Sequence, residues 1–370
     1  MDFIPVNTPL LDGNEKKYLL ECIDTGWISS EGPFIRKFEE GVAAKVRRKH
    51  GVAVCNGTAA LDIAIAALNL KPGDEVILPA FTIISCIGEI VRSGAKPVLV
   101  DSDPVTWNMN AASIAEKITP RTKAILVVHI YGLPVDMDPV LELAARHGLK
   151  IVEDAAEMHG QSYKGRPCGS FGDLSIFSFY PNKHITTGEG GMVLADDGAL
   201  AEACRGLRNL CFQPQRRFVH ERLGWNYRMT NLQAALGVAQ LERLDEFVAR
   251  KRAMGRHYTK ALSALPVQLP LPATNYADNI YWVYGMVLND SVPFDAIEAM
   301  KRLAKLGVGT RPFFYPMHRQ PVFERMGLFE GETYPVAERL AERGFYIPSG
   351  MALTESQIDQ VAAKVREIFA

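Results

Sequence analysis

The densest chemical signal in the chain is Ser178-Phe179-Tyr180-Pro181-Asn182-Lys183-His184-Ile185-Thr186-Thr187-Gly188-Glu189-Gly190-Gly191. An apolar strand ends in a lysine, a polar glycine-rich turn follows, and Met192-Val193-Leu194 begins another strand. A lysine at the edge of a buried strand loses solvation, which lowers its pKa toward that of a usable amine nucleophile. The glycines would let backbone approach a flat ligand. A second segment, Ile151-Val152-Glu153-Asp154-Ala155-Ala156-Glu157, ends a buried strand in carboxylates. The carboxyl edge of a parallel sheet is where such proteins bind ligands, and Asp154 could pair there with a protonated pyridine nitrogen. A third, Asn56-Gly57-Thr58-Ala59, precedes an apolar helix, where free backbone N–H groups and the Thr58 hydroxyl would suit a phosphate. Each segment alone has an ordinary alternative: a surface lysine in a turn, a loop-capping aspartate, a plain N-cap.

These segments need a scaffold that brings strand ends together. Apolar runs occur at Glu75–Leu78, Pro97–Val100, Ala124–Val128, Ile151–Val152 and Leu174–Phe179. They are too short and too uniformly apolar for half-exposed strands, and read as strands buried on both faces. Helical patterns separate them, Ala59–Leu70 before Lys71-Pro72-Gly73 and Asp138–Arg146 before His147-Gly148. The alternation predicts an α/β sandwich. Leu232 to about Leu262 reads as one long helix, with Leu241, Leu244 and Phe247 at helical spacing. After the break from Leu265-Pro266 to Pro272 comes a smaller α+β unit, with a strand at Tyr281–Leu288 and helices at Phe294–Leu306 and Glu355–Phe369. The expected division is 1–245 and 246–370, with the N-terminal segment free to pack on the smaller unit.

Composition narrows the classes. Lys+Arg 41 against Asp+Glu 42 gives a net charge of -1, which argues against a nucleic-acid partner. A chain with 48% hydrophobic and 22% charged residues is an ordinary globular mix. No apolar run is long enough to span a membrane; the best, Ile83–Val91, is broken by Glu89. Met1-Asp2-Phe3-Ile4-Pro5 lacks the basic and apolar regions of a secretory leader, so a cytoplasmic protein is expected. The six cysteines, Cys22, Cys55, Cys86, Cys168, Cys204 and Cys211, form no C-x-x-C pair. They are expected to be reduced and mostly buried, with no metal site.

Taken together, Gly57-Thr58, Asp154, Ser178 and Lys183 match one constellation in order and spacing. Over essentially its whole length the chain resembles the DegT/DnrJ/EryC1/StrS family of sugar aminotransferases, which use pyridoxal 5'-phosphate (PLP). The Lys183…Thr186-Thr187-Gly188-Glu189-Gly190-Gly191 block is the most specific part. Gly169-x-x-Gly172-Asp173, Asn226-Tyr227-Arg228-Met229-Thr230 and Arg311-Pro312-Phe313-Phe314-Tyr315-Pro316-Met317-His318 support it. The resemblance implies PLP fold type I, the aspartate aminotransferase fold: a large α/β/α sandwich with a mostly parallel sheet, and a smaller C-terminal α+β domain.

The same resemblance implies roles. Lys183 would bind PLP as a Schiff base and shuttle the proton between cofactor and substrate carbons. Asp154 would hold the pyridine nitrogen protonated. Glu157, where many relatives carry Gln, would approach the cofactor's ring oxygen. Gly57, Thr58 and Ser178 would bind the phosphate, and Asn226 would reach it from the other subunit of a homodimer with shared active sites, in a dimer or a tetramer. Relatives often carry an aromatic residue where this chain has Ile83, leaving Ile83 or Phe81 to cover the ring. Trp27 and His318 are implied as substrate contacts. Arg228 and Arg311 could bind the amino donor's carboxylates or nucleotide phosphates, although Arg311 before Pro312 also suits a structural role. His184 could be a second acid/base or a backbone-bonded turn residue.

The reaction implied is transamination, with the cofactor cycling through pyridoxamine phosphate, from an amino acid such as L-glutamate to a nucleotide-linked keto sugar for surface polysaccharide. The Trp27-Ile28-Ser29-Ser30 and Asn182–Gly191 segments look most like members that aminate GDP-4-keto-6-deoxymannose at C4. A dTDP- or UDP-linked sugar, or amination at C3, is the alternative within the class. A PLP-dependent sugar 3-dehydratase would carry histidine in place of Lys183. A non-catalytic regulator would be expected to lack the intact Lys183/Asp154 pair.

Overall fold

The computed structural model describes residues 3–213 and 215–370, so Met1 and Asp2 of the N-terminal reading lie outside the described residues. Strands β1 (His50–Val54), β2 (Glu75–Pro79), β3 (Lys96–Val100), β4 (Thr122–Val128) and β5 (Lys150–Asp154) precede a short hairpin, β6 (Ser162–Tyr163) and β7 (Arg166–Pro167). With β8 (Leu174–Ser178) and β9 (Gly191–Ala195) the long strands make a seven-stranded sheet in the order β1-β9-β8-β5-β4-β2-β3. The pairs β2/β3, β2/β4, β4/β5 and β5/β8 are parallel, and β9 alone runs against its neighbours β8 and β1.

Both faces of the sheet are covered, which is why its strands lack alternation. Val52, Val76, Leu126, Val152 and Ile176 face one core together with α3 (Gly57–Ala67), α4 (Ser85–Arg92) and α6 (Gly198–Arg208). Ala53, Ile77, Ile125, Ile151 and Phe177 face the other, against α2 (Pro33–Lys45), α5 (Met137–His147) and α7 (Asn231–Leu241); α1 (Glu15–Thr25) lies outside on α7. Each strand thus divides its apolar residues between two cores, as its two-residue period requires. β1 is not foreseen in the sequence reading, because Gly51 and Ala53 dilute its apolar character.

The long helix expected over Leu232–Leu262 is two helices, α7 and α8 (Leu244–Leu262). The break falls on Glu242-Arg243, where Arg243 has non-helical backbone angles. Glu242 accepts hydrogen bonds from Asn14 (2.7 Å) and Tyr18 (2.7 Å), and Arg243 pairs with Asp12 and Glu246. The polar ties to the α1 region bend a pattern that periodicity alone continues.

The C-terminal part builds an antiparallel sheet, β10 (Val267–Gln268), β11 (Tyr284–Leu288), β13 (Gly344–Ile347) and β12 (Arg311–Pro312) in that order. Around it lie α9 (Ala296–Lys305), α10 (Pro321–Glu324), α11 (Pro335–Arg343) and α12 (Glu355–Glu367). The N-terminal segment crosses to this unit: Ile4 bridges Val308, and Ser349 N–H donates to the Val6 carbonyl at 2.9 Å. Five of the six cysteines are buried and Cys55 is half-buried, all unpaired. Among the described residues no helix is long and apolar enough to cross a membrane.

Candidate active site

Because β1, β2, β4, β5 and β8 share one direction, the segments that follow them converge on one edge of the sheet. A cleft of about 580 Å³ opens there. Gly57, Thr58, Ile83, Asp154, Glu157, Ser178 and Lys183, from segments far apart in sequence, all line it. Its far wall is Trp282, Phe314 and Tyr346, from the C-terminal part.

One end of the cleft is the N-terminus of α3. Asn56 caps the helix by accepting from Ala59 N–H (2.8 Å), and the Gly57 and Thr58 N–H groups in its first turn have no intrahelical acceptor. Beside them lies Ser178, so close that a β-carbon on Gly57 would sit 2.7 Å from Ser178 Cβ. Glycine is therefore required where strand end meets helix start. Thr58 Oγ1 contacts Ser85 Oγ at 2.9 Å. Of the glycines in the 188–191 turn, which the sequence reading assigns to ligand approach, Gly191 has a packing role. A β-carbon on Gly191 would lie 2.3 Å from the Asn56 carbonyl, so that glycine seats β9 against the turn before α3.

The middle of the cleft holds the ionisable groups. Asp154 is 3% exposed; its Oδ1 accepts from Ala156 N–H (3.0 Å) and its Oδ2 from the Cys86 thiol (3.3 Å). Burial pushes its carboxyl above the usual range, opposed by those donors and by Lys183. Glu157 accepts from Tyr131 N–H at 2.6 Å, and burial raises it to about 8. Lys183 is not at the strand end but in the turn beyond it, held by its own N–H to the Tyr180 carbonyl (2.9 Å). Its side chain is 9% exposed, with Nζ 3.9 Å from Glu157 Oε1. Burial pulls this amine below the ordinary lysine value, with Glu157 and Asp154 opposing. The cleft therefore presents a near-buried amine between carboxyl groups, with a helix N-terminus at its end.

The remaining expected residues lie elsewhere. Ile83 is 46% exposed on the cleft wall, whereas Phe81 is fully buried among Tyr131, Phe313 and Phe314 and does not reach it. His184 is fully buried with Nε2 3.1 Å from the Ile280 carbonyl, and burial holds its ring well below the imidazole range. It does not line the cleft; of its two readings, the backbone-bonded turn residue is the one observed. His318 pairs with Glu338 Oε1 (2.8 Å) behind Tyr334 and is likewise outside the cleft in this chain, so its expected sugar contact is not seen. Its loop turns the ring toward Glu338. Arg311 is exposed on β12, opposite Tyr346. Trp27 is 49% exposed, Asn226 is exposed, and Arg228 donates to Asn209 beside a second cavity of about 550 Å³ with Arg208, Phe212 and Arg217. The Asn226–Arg228 segment is laid along the sheet edge, Cys55 N–H donating to the Tyr227 carbonyl at 2.8 Å.

Sequence reasoning misses Trp282, whose stretch looks like plain strand, and Cys86, whose thiol has no motif around it. His129, Glu153 and Cys168 cluster in the core like a metal-ligand trio. His129 is spent on Glu153 (3.0 Å) and Val135 N–H (3.0 Å), and Glu153 on Gly169 and Phe171 N–H, so the cluster is a hydrogen-bond brace under β5.

The residues present fit PLP: a phosphate-sized niche kept open by Gly57, a buried carboxylate in Asp154, and a free amine in Lys183. The comparisons agree. GDP-perosamine synthase of Caulobacter vibrioides is 44% identical over 367 residues, 99% of this chain and 98% of that protein. GDP-perosamine synthase of Escherichia coli O157:H7 is 40% identical over 370 residues, covering 100% of each. The crystal structure of DesV from S. venezuelae, in complex with a ketimine intermediate, superposes with a TM-score of 0.90 at 32% identity, covering 100% of this chain and 99% of that one. The fold is PLP fold type I, and the protein is a PLP-dependent transaminase. Residues 9–366 match the family described as the DegT/DnrJ/EryC1/StrS aminotransferase family, and the chain belongs to it.

Proposed function

We propose that this enzyme moves an amino group from L-glutamate to C4 of a nucleotide-linked 4-keto-6-deoxyhexose, with GDP-4-keto-6-deoxymannose as acceptor and GDP-perosamine as product. The observation that carries the chemistry is the near-buried Lys183 amine, 3.9 Å from Glu157, in a cleft that Asp154 and the α3 N-terminus also line. The choice of sugar rests on full-length likeness to proteins named GDP-perosamine synthase.

In this reading PLP, when bound, supplies the electron sink that lets a carbon-bound proton leave. The chain does the rest. The Gly57 and Thr58 N–H groups and the Ser178 hydroxyl hold the phosphate at the positive end of α3. Asp154, fixed by Ala156 N–H and the Cys86 thiol, would keep a proton on the pyridine nitrogen. Glu157, raised to about 8, is largely protonated at neutral pH and can donate to the ring oxygen, as the amide of a Gln would. Lys183, its proton affinity lowered by burial, is the residue that would hold the cofactor covalently and, when free, would move the proton between carbons. Ile83, on the cleft wall, would pack on the cofactor ring.

We also place Asn226 at the partner subunit's phosphate in a homodimer. Its exposure, and that of Phe218 (80%) and Leu223 (93%) in the preceding loop, supports a covered surface there. Trp27, Arg228 and Arg311 then become candidates for contact with nucleotide or donor across that interface. We assign 1–245 to a cofactor domain and 246–370 to a smaller one, and the protein to the cytoplasm. The test is a panel of GDP-, dTDP-, UDP- and CDP-linked 4-keto sugars with glutamate, with products identified by mass spectrometry and NMR. The GDP sugar should give the highest kcat/KM; equal or better turnover of the dTDP sugar rejects the substrate assignment and leaves the transaminase intact.

A further inference from the structure

Lys183 reaches across the cleft to a residue no motif marks. Its Nζ stands 3.8 Å from the centroid of the Trp282 ring. That is well inside cation–π range, and the contact is strongest when both groups are shielded from water. Here they are: Trp282 is 4% exposed and the Lys183 side chain 9%. The indole is itself pinned. Its Nε1–H donates to the Asn182 carbonyl at 2.8 Å, inside the turn that carries Lys183. Its own carbonyl accepts from Lys251 Nζ at 2.8 Å, and that buried lysine also donates to the Ser349 carbonyl. Tyr131 packs against the ring at 5.8 Å. A four-carbon stem would let a free amine wander, at a cost in order each time it returned. Glu157 Oε1, at 3.9 Å, lies beyond hydrogen-bond reach and so does not fix it alone.

We propose that Trp282 is a positioning residue: its indole face holds the amine of Lys183 while that amine is protonated and not bonded to the cofactor. The proposal rests on Lys183 being the cofactor lysine. In a transaminase that amine is free at every stage except when it is itself joined to the cofactor, so a resting place keeps it aimed into the cleft. Lys251 acts one step further back, through the Trp282 backbone. The charged and titratable groups that also face Lys183 are Asp154 at the end of β5, Glu157 after it, Cys86 on α4, and His159 and His184 behind it.

The test reads the amine rather than turnover. The full-length enzyme is converted to its pyridoxamine form, and competitive labelling of the Lys183 peptide by a small amine reagent is followed across neutral to alkaline pH. The midpoint of that profile is compared between wild type, Trp282→Leu and Trp282→Phe. Loss of the indole removes support for the charged form, so the midpoint should fall by about half to one pH unit in Trp282→Leu, and by less in Trp282→Phe. A merely space-filling tryptophan predicts the opposite sign, because water admitted by its loss favours the ammonium. A midpoint that rises or stays unchanged in Trp282→Leu overturns the proposal. If that variant does not fold, a Trp282→Phe midpoint equal to that of wild type overturns it. Borohydride mapping of the pyridoxal form separates the two readings: label on another lysine removes the premise, whereas label on Lys183 with unshifted midpoints removes only the role of Trp282.

Discussion

At the scale of single residues, the site works by withholding water from ionisable groups. Lys183, Asp154 and Glu157 are each displaced in the direction that burial dictates, and their mutual charges only temper it. Glu157 offers the clearest handle. As a carboxyl raised to about 8 it is a hydrogen-bond donor at neutral pH and loses that proton on the alkaline side. PLP affinity of the wild type should therefore weaken as pH passes about 8, while Glu157→Gln, a donor at every pH, should hold affinity flat; equilibrium dialysis against pH checks this. Gly57→Ala places a β-carbon 2.7 Å from Ser178 Cβ. It should cost about 1–3 kcal/mol of stability by overpacking, and weaken cofactor binding about tenfold or more as the phosphate niche closes; thermal melts and PLP titration measure both. Lys183, Asp154, Ser178 and Gly57 were legible because their chemistry sits at abrupt changes of pattern, strand to polar turn or turn to apolar helix. Trp282 was not, since an aromatic residue in an apolar stretch looks like core until its neighbour across space is known. His184 was misleading as a substrate candidate for the converse reason: it is adjacent to Lys183 in sequence yet turned into the Ile280 backbone.

At the scale of elements, the parallel strands do the assembling. Five strand ends deliver their residues to one edge, and the period of the apolar runs already announced a sheet covered on both sides. What patterning could not show were the polar ties that redirect chains, as at Glu242-Arg243, or a strand as short and small-residued as β1. One buried residue between strand and turn is costly in acid. His159 lies between Phe177 and Phe179 with both ring nitrogens lacking partners, and burial lowers it to about 3. The unfolded chain takes up this proton near the ordinary histidine value and the folded one does not. The unfolded state thus binds more protons in the window between them, and stability is lost as pH falls from about 6.5 toward 3. From about pH 6.5 to pH 5 this single group should cost roughly 2 kcal/mol. His159→Leu should flatten that limb of a denaturant-unfolding series against pH; an unchanged acid slope would assign the loss to other groups.

At the scale of the molecule, the cleft is closed by two units: the sheet edge of the large one and the Trp282, Phe314 and Tyr346 wall of the small one. One chain nevertheless leaves Asn226 and the loop before it facing outward, which is the reason to expect a second copy. Mixing Lys183→Ala with Asn226→Ala subunits tests that directly. If sites are shared, half of the random dimers carry one intact site, and about a quarter of wild-type activity returns. If each chain is self-sufficient, none returns from two inactive parents after confirmed exchange. Oligomer geometry was out of reach of the sequence, because an exposed Leu223 or Phe218 carries no signature of what covers it.

The claim on which everything else depends is that Lys183 holds the cofactor. Two buried lysines compete for that role on burial alone, Lys183 in the cleft and Lys251 behind Trp282, whose amine burial lowers to about 7. Reducing the PLP-loaded enzyme with borohydride fixes the cofactor to its lysine, and peptide mapping by mass spectrometry identifies it. The geometry predicts a single labelled peptide containing Lys183, and no label in Lys183→Ala, which should lose turnover yet still bind PLP reversibly through the α3 niche and Asp154. Label on Lys251, or on any lysine in the Lys183→Ala variant at wild-type yield, would contradict the account.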